Sequence, residues 1–216
     1  MDPDIFALKD VTPLLTRDMG GKAILARSGT PANSHHSSVM LLECSKLTQW
    51  DWDRQIDRLF NKEFDFQDWL ELRLEDSTTI GPLEEKYNSF DKVTNETVLL
   101  HTTNPRTQPW KTGLVWKSSH MNNAKKTEAD EFSNEKYLPN PDMWAEFTFL
   151  SLLDECLDSG FVTEAEINAG IAKGELRPDL VSAARNAKMI LAKRRLGTLR
   201  RKLVRRASGI LTRSAR

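Results

Sequence analysis

Apolar residues along the chain fall into short blocks, and the spacing within each block predicts its element. Val39 to Leu42, inside HHSSVMLLECSKL, is a compact apolar run bounded by serines and a cysteine, which is the pattern of a buried strand. WDWDRQIDRLF carries Trp52, Ile56, Leu59 and Phe60 at helical intervals, and FQDWLELRL carries Trp69, Leu70, Leu72 and Leu74 more loosely. Both predict amphipathic helices packed on a sheet. Val98 to His101, in NETVLLHTT, predicts a second strand. From Trp116 to Asn140 the chain turns polar and predicts an exposed connection. In PDMWAEFTFLSLLDECLDSGF, Pro141 and Asp142 open a helix, Trp144, Phe147, Leu150, Leu153 and Leu157 form its apolar stripe, and Gly160 ends it. A shorter helix from Thr163 to Ala172 begins with TEAE, the spacing of a capping box between Thr163 and Glu166.

These elements predict an α/β chain in four parts. Residues 1–115 form a mixed sheet with flanking helices, 116–140 a polar connecting loop, 141–184 a helical C-terminal region and 185–216 a basic amphipathic tail. A length of 216 residues with 39% hydrophobic side chains suits one substantial domain with an appendage. No run is long and apolar enough to span a membrane and the N-terminus is charged, so the expected location is cytoplasmic. Cys44 and Cys156 each sit in an apolar stretch and are expected to be buried thiols rather than a disulfide.

Charge changes the picture at the C-terminus. The formal net charge is 0, with 31 basic and 31 acidic residues, yet no acid follows Asp179 and 12 of the basic residues lie between Arg185 and Arg216. Such a split directs the tail toward something anionic. Leu196, Leu199 and Leu203 share one helical face among these cations, the pattern of a helix lying on an anionic membrane surface. The tail has no aromatic side chain for base stacking, which argues against nucleic acid. Peripheral attachment to the inner face of the membrane is the corresponding expectation. A non-catalytic membrane-surface or polyanion-binding module is the alternative function that this tail supports.

Two stretches carry candidate chemistry. The chain opens MDPDIFALKDVTPLL, where Asp2 and Asp4 flank one proline; alone, this is as well read as a turn. LLHTTNPRTQPWKTGL places a histidine, two cations and a glycine within 13 residues. That combination offers a metal ligand, positive charge and close backbone approach. His35 and His36, in SGTPANSHHSS, read as a solvated loop pair that could also lie near an acceptor.

Together these segments resemble GT-A fold, nucleotide-sugar-dependent glycosyltransferases, in the branch containing family 8, the glycogenin and lipopolysaccharide galactosyltransferase group. Asp2-Pro3-Asp4 is similar to the family's D-x-D, and Asp10 to Leu14 to the phrase that follows it. SSVMLLEC is similar to an N-S-G-V-M strand, FQDWL to a D-Q-D-x-L element, EEKYNSFD to a W-N turn, and LLHTTNPRTQPWKTGL to a closing H-F-x-G-x-x-K-P-W motif. Five segments stand in the family's order.

The resemblance implies that Asp2, Asp4 and His101 hold a divalent cation, manganese or magnesium, against the diphosphate of a sugar nucleotide, a hard and borderline donor set suited to manganese. Gln67 and Asp68 match the last two positions of D-Q-D, which face the reacting sugar. Phe66 stands where the first Asp belongs, with Asp65 one step away, and Ser37 and Ser38 replace the Asn and a small residue of the N-S-G strand. Gln108 rather than lysine precedes Pro109, so diphosphate contact is expected from Arg106 or Lys111, with Lys111 and Gly113 preferred. The implied activity is retaining transfer of a hexose from a UDP-sugar to a glycan or lipid-linked acceptor. In the family a nucleotide-binding half precedes the D-x-D; the expectation is that this chain is the acceptor-side portion and lacks that half, with its activity alone in doubt.

Overall fold

A computed structural model describes residues 2, 4–31, 33–116, 135–190 and 193, and the chain splits into two compact units, Met1–Thr103 and Asn104–Arg216. The predicted tail face of Leu196, Leu199 and Leu203 and most of the predicted polar connection lie outside the described residues. The fold is mixed α/β. Among the described residues no helix is long and apolar enough to cross a membrane.

The first unit holds two three-stranded sheets. In one, β2 (Ile24–Ser28) lies between β3 (His35–Leu42), antiparallel to it, and β4 (Ile80–Pro82), parallel to it. Alternation explains why β2 is buried on both faces: Ile24 and Ala26 pack with Ala23, Leu47, Leu72 and Ile80, whereas Leu25 packs with Val39, Leu83 and Leu99. Gly81 permits the close approach of β4, since a Cβ there would meet Leu25 Cδ2 at 2.6 Å. In the other sheet, β6 (Leu99–His101) runs between β1 (Ile5–Ala7) and β5 (Ser89–Phe90). A short helix, α1 (Thr12–Leu15), follows β1 and buries Leu14.

The helices of this unit begin where carboxylates can accept free backbone N–H groups. Asp51 caps α2 (Trp52–Phe60) through Arg54 N at 3.1 Å, and Asp65 caps α3 (Phe66–Leu70) through Gln67 N at 2.7 Å. The second predicted helix is thus shorter than its apolar spacing implied, because Leu72 takes φ 58 and Leu74 falls in the following turn.

In the second unit α4 (Met143–Ser159) is capped by Asp142 and closed by Gly160 at φ 74. Thr163 and Glu166 form the reciprocal capping box of α5 (Glu164–Ala172). A third helix, α6 (Leu180–Arg185), completes a core of Leu150, Ile167, Leu180, Ala183 and Ala187. Several expectations need correction. Trp144 is exposed rather than part of the buried stripe, and Cys44 is an exposed free thiol in a short 3-10 turn. Trp116 and Tyr137, at the two ends of the predicted connection, are buried with rings 5.0 Å apart, because a bridge pairs Val115 with Lys136. Arg185 belongs to α6, not the tail, and binds Asp154 at 2.8 Å as well as Asp158.

Candidate metal centre

Strand pairing brings the two ends of the first unit together. β1 and β6 pair with Ile5 opposite His101, and the carbonyl of Asp4 accepts from both the backbone N–H and the hydroxyl of Thr102 at 3.2 Å. Asp4 is thereby held beside His101. Asp2 is fixed from the other sheet. The β2–β3 register jumps from Ala26 opposite Met40 to Arg27 opposite His36, which takes Ser37 and Ser38 out of the ladder. The Ser38 carbonyl then accepts from Asp2 N at 3.3 Å. A bulge commonly re-aims groups in this way beside a site.

One ligand atom from each of Asp2, Asp4 and His101 lies within 4.8 Å of the others. His101 Nε2 is 3.3 Å from Asp4 Oδ1 and 3.6 Å from Asp2 Oδ2. Neighbouring donors in an octahedral shell with 2.0–2.1 Å bonds are about 3 Å apart, so each histidine–carboxylate separation is close to that of a shared ion, while the three atoms together lie within 4.8 Å and the Asp2 and Asp4 carboxylates would have to draw together to share it. The histidine is 7% exposed, Asp4 is half-buried and Asp2 faces solvent, leaving one open side.

Ring orientation is set from behind. His101 Nδ1 lies 3.1 Å from Asn88 Oδ1, and Asn88 Nδ2 donates to Ser38 Oγ at 3.0 Å. With Oδ1 turned to the ring, Asn88 accepts from Nδ1–H, and this orientation directs Nε2 toward the two carboxylates. Asn88 is fully buried, and its own carbonyl accepts from Arg27 at 2.6 Å. Phe90, opposite His101 in β5, meets the imidazole edge-on at 5.5 Å, and the Arg27 guanidinium lies 4.0 Å above the centre of the Phe90 ring.

A cavity of about 390 Å³ opens at this centre, lined by Asp2 and His101 at one end and by Gln67, Leu70 and Glu71 of the α3 segment at the other. His35 and His36 line it as well: they are strand residues, half-buried in β3, and not the solvated loop pair expected. Burial pushes both imidazoles below their ordinary range, and for His36 the Arg27 guanidinium adds to the effect. Glu71 is held low, first by its bond from Gln67 Nε2 at 2.6 Å and further by Arg73. Two carboxylates and two neutral-leaning imidazoles thus line a cavity suited to a cation and to uncharged hydroxyl groups.

The remaining predicted residues are placed differently. Gln67 reaches the cavity, but Asp68 is bound to Arg73 at 2.9 Å and is not among the lining residues. Arg106, Lys111 and Gly113 belong to the second unit. There Arg106 pairs with Glu135, Lys111 Nζ stands 5.4 Å over the Tyr137 ring, and Gly113 takes φ 87 with open space where a Cβ would be. Sequence reasoning did not single out Asn88, Glu71 or Phe90. Asn88 and Phe90 both sit within EEKYNSFD, so the segment was visible although the two roles were not. Compared with known proteins, the chain matches no family model, no curated protein and no solved structure.

Proposed function

We propose that the protein is a metal-dependent glycosyltransferase that moves a hexose from a nucleotide sugar, of the UDP-sugar class, to a hydroxyl on a glycan or lipid-linked acceptor. The observation that carries the proposal is the convergence of Asp2, Asp4 and His101, from opposite ends of the first unit, beside a cavity that Gln67 also lines. The donor set suits manganese or magnesium. When bound, such an ion would supply Lewis-acid neutralisation of charge on the departing diphosphate.

In the transfer, the bond between the donor's anomeric carbon and the diphosphate oxygen breaks, the acceptor oxygen forms the new glycosidic bond, and the acceptor's proton is released. Asn88 holds the His101 ring with Nε2 directed to the carboxylates. Gln67, its amide nitrogen pinned to Glu71, offers the carbonyl oxygen to a sugar hydroxyl. Phe90 and the half-buried His36 exclude water from one wall, their rings 4.7 Å apart.

The test is metal-dependent transfer or hydrolysis of UDP-hexoses by the full chain, read as UDP release. Asp4→Asn and His101→Ala are expected to abolish metal-stimulated release while the folded far-UV spectrum persists. UDP release that is unaffected by Asp4→Asn and His101→Ala would refute the assignment.

A further inference from the structure

We infer that a tryptophan-lined hollow next to the reaction cavity is a carbohydrate subsite, in which a neutral sugar ring of the acceptor stacks on Trp52 and Trp69; this rests on the glycosyltransferase proposal. The hollow has a volume of about 290 Å³ and shares Ser37 and Leu70 with the reaction cavity, so the two adjoin at the α3 segment. Asp2 and His101 line only the reaction cavity. A donor anchored there by its diphosphate directs its sugar toward Gln67, and the next group outward, past Ser37 and Leu70, is the acceptor.

The chemistry of the walls selects a sugar. Trp69 donates its indole N–H to Gln55 Oε1 at 2.9 Å, and Trp50 donates to Glu75 Oε1 at 2.8 Å. Both rings are pinned by their edges, and Trp50 is further packed against the core of the β2 sheet. Trp52 is 67% exposed at the start of α2, with its ring centre 6.1 Å from that of Trp69 and the planes inclined by 52°. At this spacing the two indoles contact each other at an incline, and Trp69 also meets Phe66 at 6.1 Å, so the open ring surface offered to a ligand is chiefly that of the exposed Trp52. A pyranose has one C–H face that an indole covers and equatorial hydroxyls that reach a rim of amide and carboxylate, here Gln55 and Glu75. Glu75 at the rim and Glu71 at the neck disfavour a uronate or other anionic ring. A volume near the low end of ligand cavities suits one or two rings rather than a long chain.

The experiment uses the intact chain with maltose, lactose and methyl α-mannoside as sugars, and uridine and 1-hexanol as competing chemistries. Indole fluorescence and proton saturation-transfer NMR read binding. The expected result is saturable quenching by at least one sugar, in the weak millimolar range typical of a single subsite, with saturation confined to ring C–H protons of one face. Trp52→Ala should weaken that sugar at least tenfold and Trp52→Phe should retain most of the affinity, both with manganese affinity unchanged. Failure of all three sugars, sugar affinity indifferent to Trp52→Ala, or binding only of uridine or hexanol would overturn the inference. Manganese titration of the same samples separates the two claims. Sugar binding through Trp52 in a chain that binds no manganese would sink the metal proposal and leave a sugar subsite standing, whereas manganese bound with no sugar in the hollow would do the reverse.

Discussion

Replacing Asn88 tests whether the His101 ring is held for a purpose. The amide is fully buried and makes two side-chain bonds, 3.1 Å to His101 Nδ1 and 3.0 Å to Ser38 Oγ. Asn88→Ala removes the acceptor that selects the tautomer, leaving a buried Nδ1–H without a partner at a cost of about 1–3 kcal/mol in stability. If His101 ligates a cation, loss of such an outer partner weakens metal affinity about 10–100-fold, or about 1.4–2.8 kcal/mol. Asn88→Asp separates the two effects. A carboxylate of the same shape still accepts from Nδ1–H and makes the ring a better donor, so manganese affinity should be kept or tightened even where the buried charge lowers the melting temperature. Manganese titration by electron paramagnetic resonance reads affinity, and circular dichroism reads melting. Equal affinity in wild type and Asn88→Ala, with both folded, would refute the reasoning, and so would an equal fall in Asn88→Ala and Asn88→Asp.

Three further outcomes follow from other parts of the molecule. In the second unit Arg177 pairs with the buried Glu146 at 3.2 Å and with Asp179 at 2.6 Å; Arg177→Leu strips Glu146 of that guanidinium and should cost about 3 kcal/mol by urea denaturation with manganese affinity unchanged, whereas a loss below about 0.5 kcal/mol would show the pair to be dispensable. His35 and His36 titrate below their unfolded value of about 6.5, so the unfolded chain binds more protons near that pH. Stability should be fully present above about pH 6.5 and fall as the pH drops below it, and a double replacement of both histidines by phenylalanine should flatten that slope in a pH series of thermal melts; an unchanged slope would contradict it. The nine cations between Arg194 and Arg216 should bind vesicles containing phosphatidylserine at low salt and release them as salt rises, with binding lost on deleting residues 194–216; retention of the full chain by nucleic acid but not by vesicles would point to the other anion.

Four helices, α2 to α5, were legible because their signals are local, whereas α1 (Thr12–Leu15) and α6 (Leu180–Arg185) carried none that was read. Asp142 and Gly160 bracket α4, and Thr163 with Glu166 starts α5, each through bonds that span a few residues. Short strands carry no such signal. β1, β2, β4 and β5 were not predicted, since three successive buried residues in Ile24–Ala26 show no alternation and Ser89–Phe90 is too brief for any period. The strand containing Val39–Leu42 begins earlier than its apolar run, at His35, because polar side chains can occupy a ladder wherever a cavity adjoins it. Asp2, Asp4 and His101 were nominated by motif order and not by spacing, and it is the β1–β6 pairing that brings them together. Asn88 could not be nominated that way, because its importance lies in a hydrogen bond to a residue that sequence alone does not place beside it.

The most direct test is manganese titration of the intact chain, wild type against Asp4→Asn and His101→Ala, followed by electron paramagnetic resonance. One saturable manganese site per chain is predicted, weakened at least tenfold in each variant, with both variants still folded by circular dichroism and His101→Ala melting lower than wild type because it takes the imidazole from the buried Asn88 amide. Absence of a saturable site in the wild type, or equal affinity in all three proteins, would contradict it.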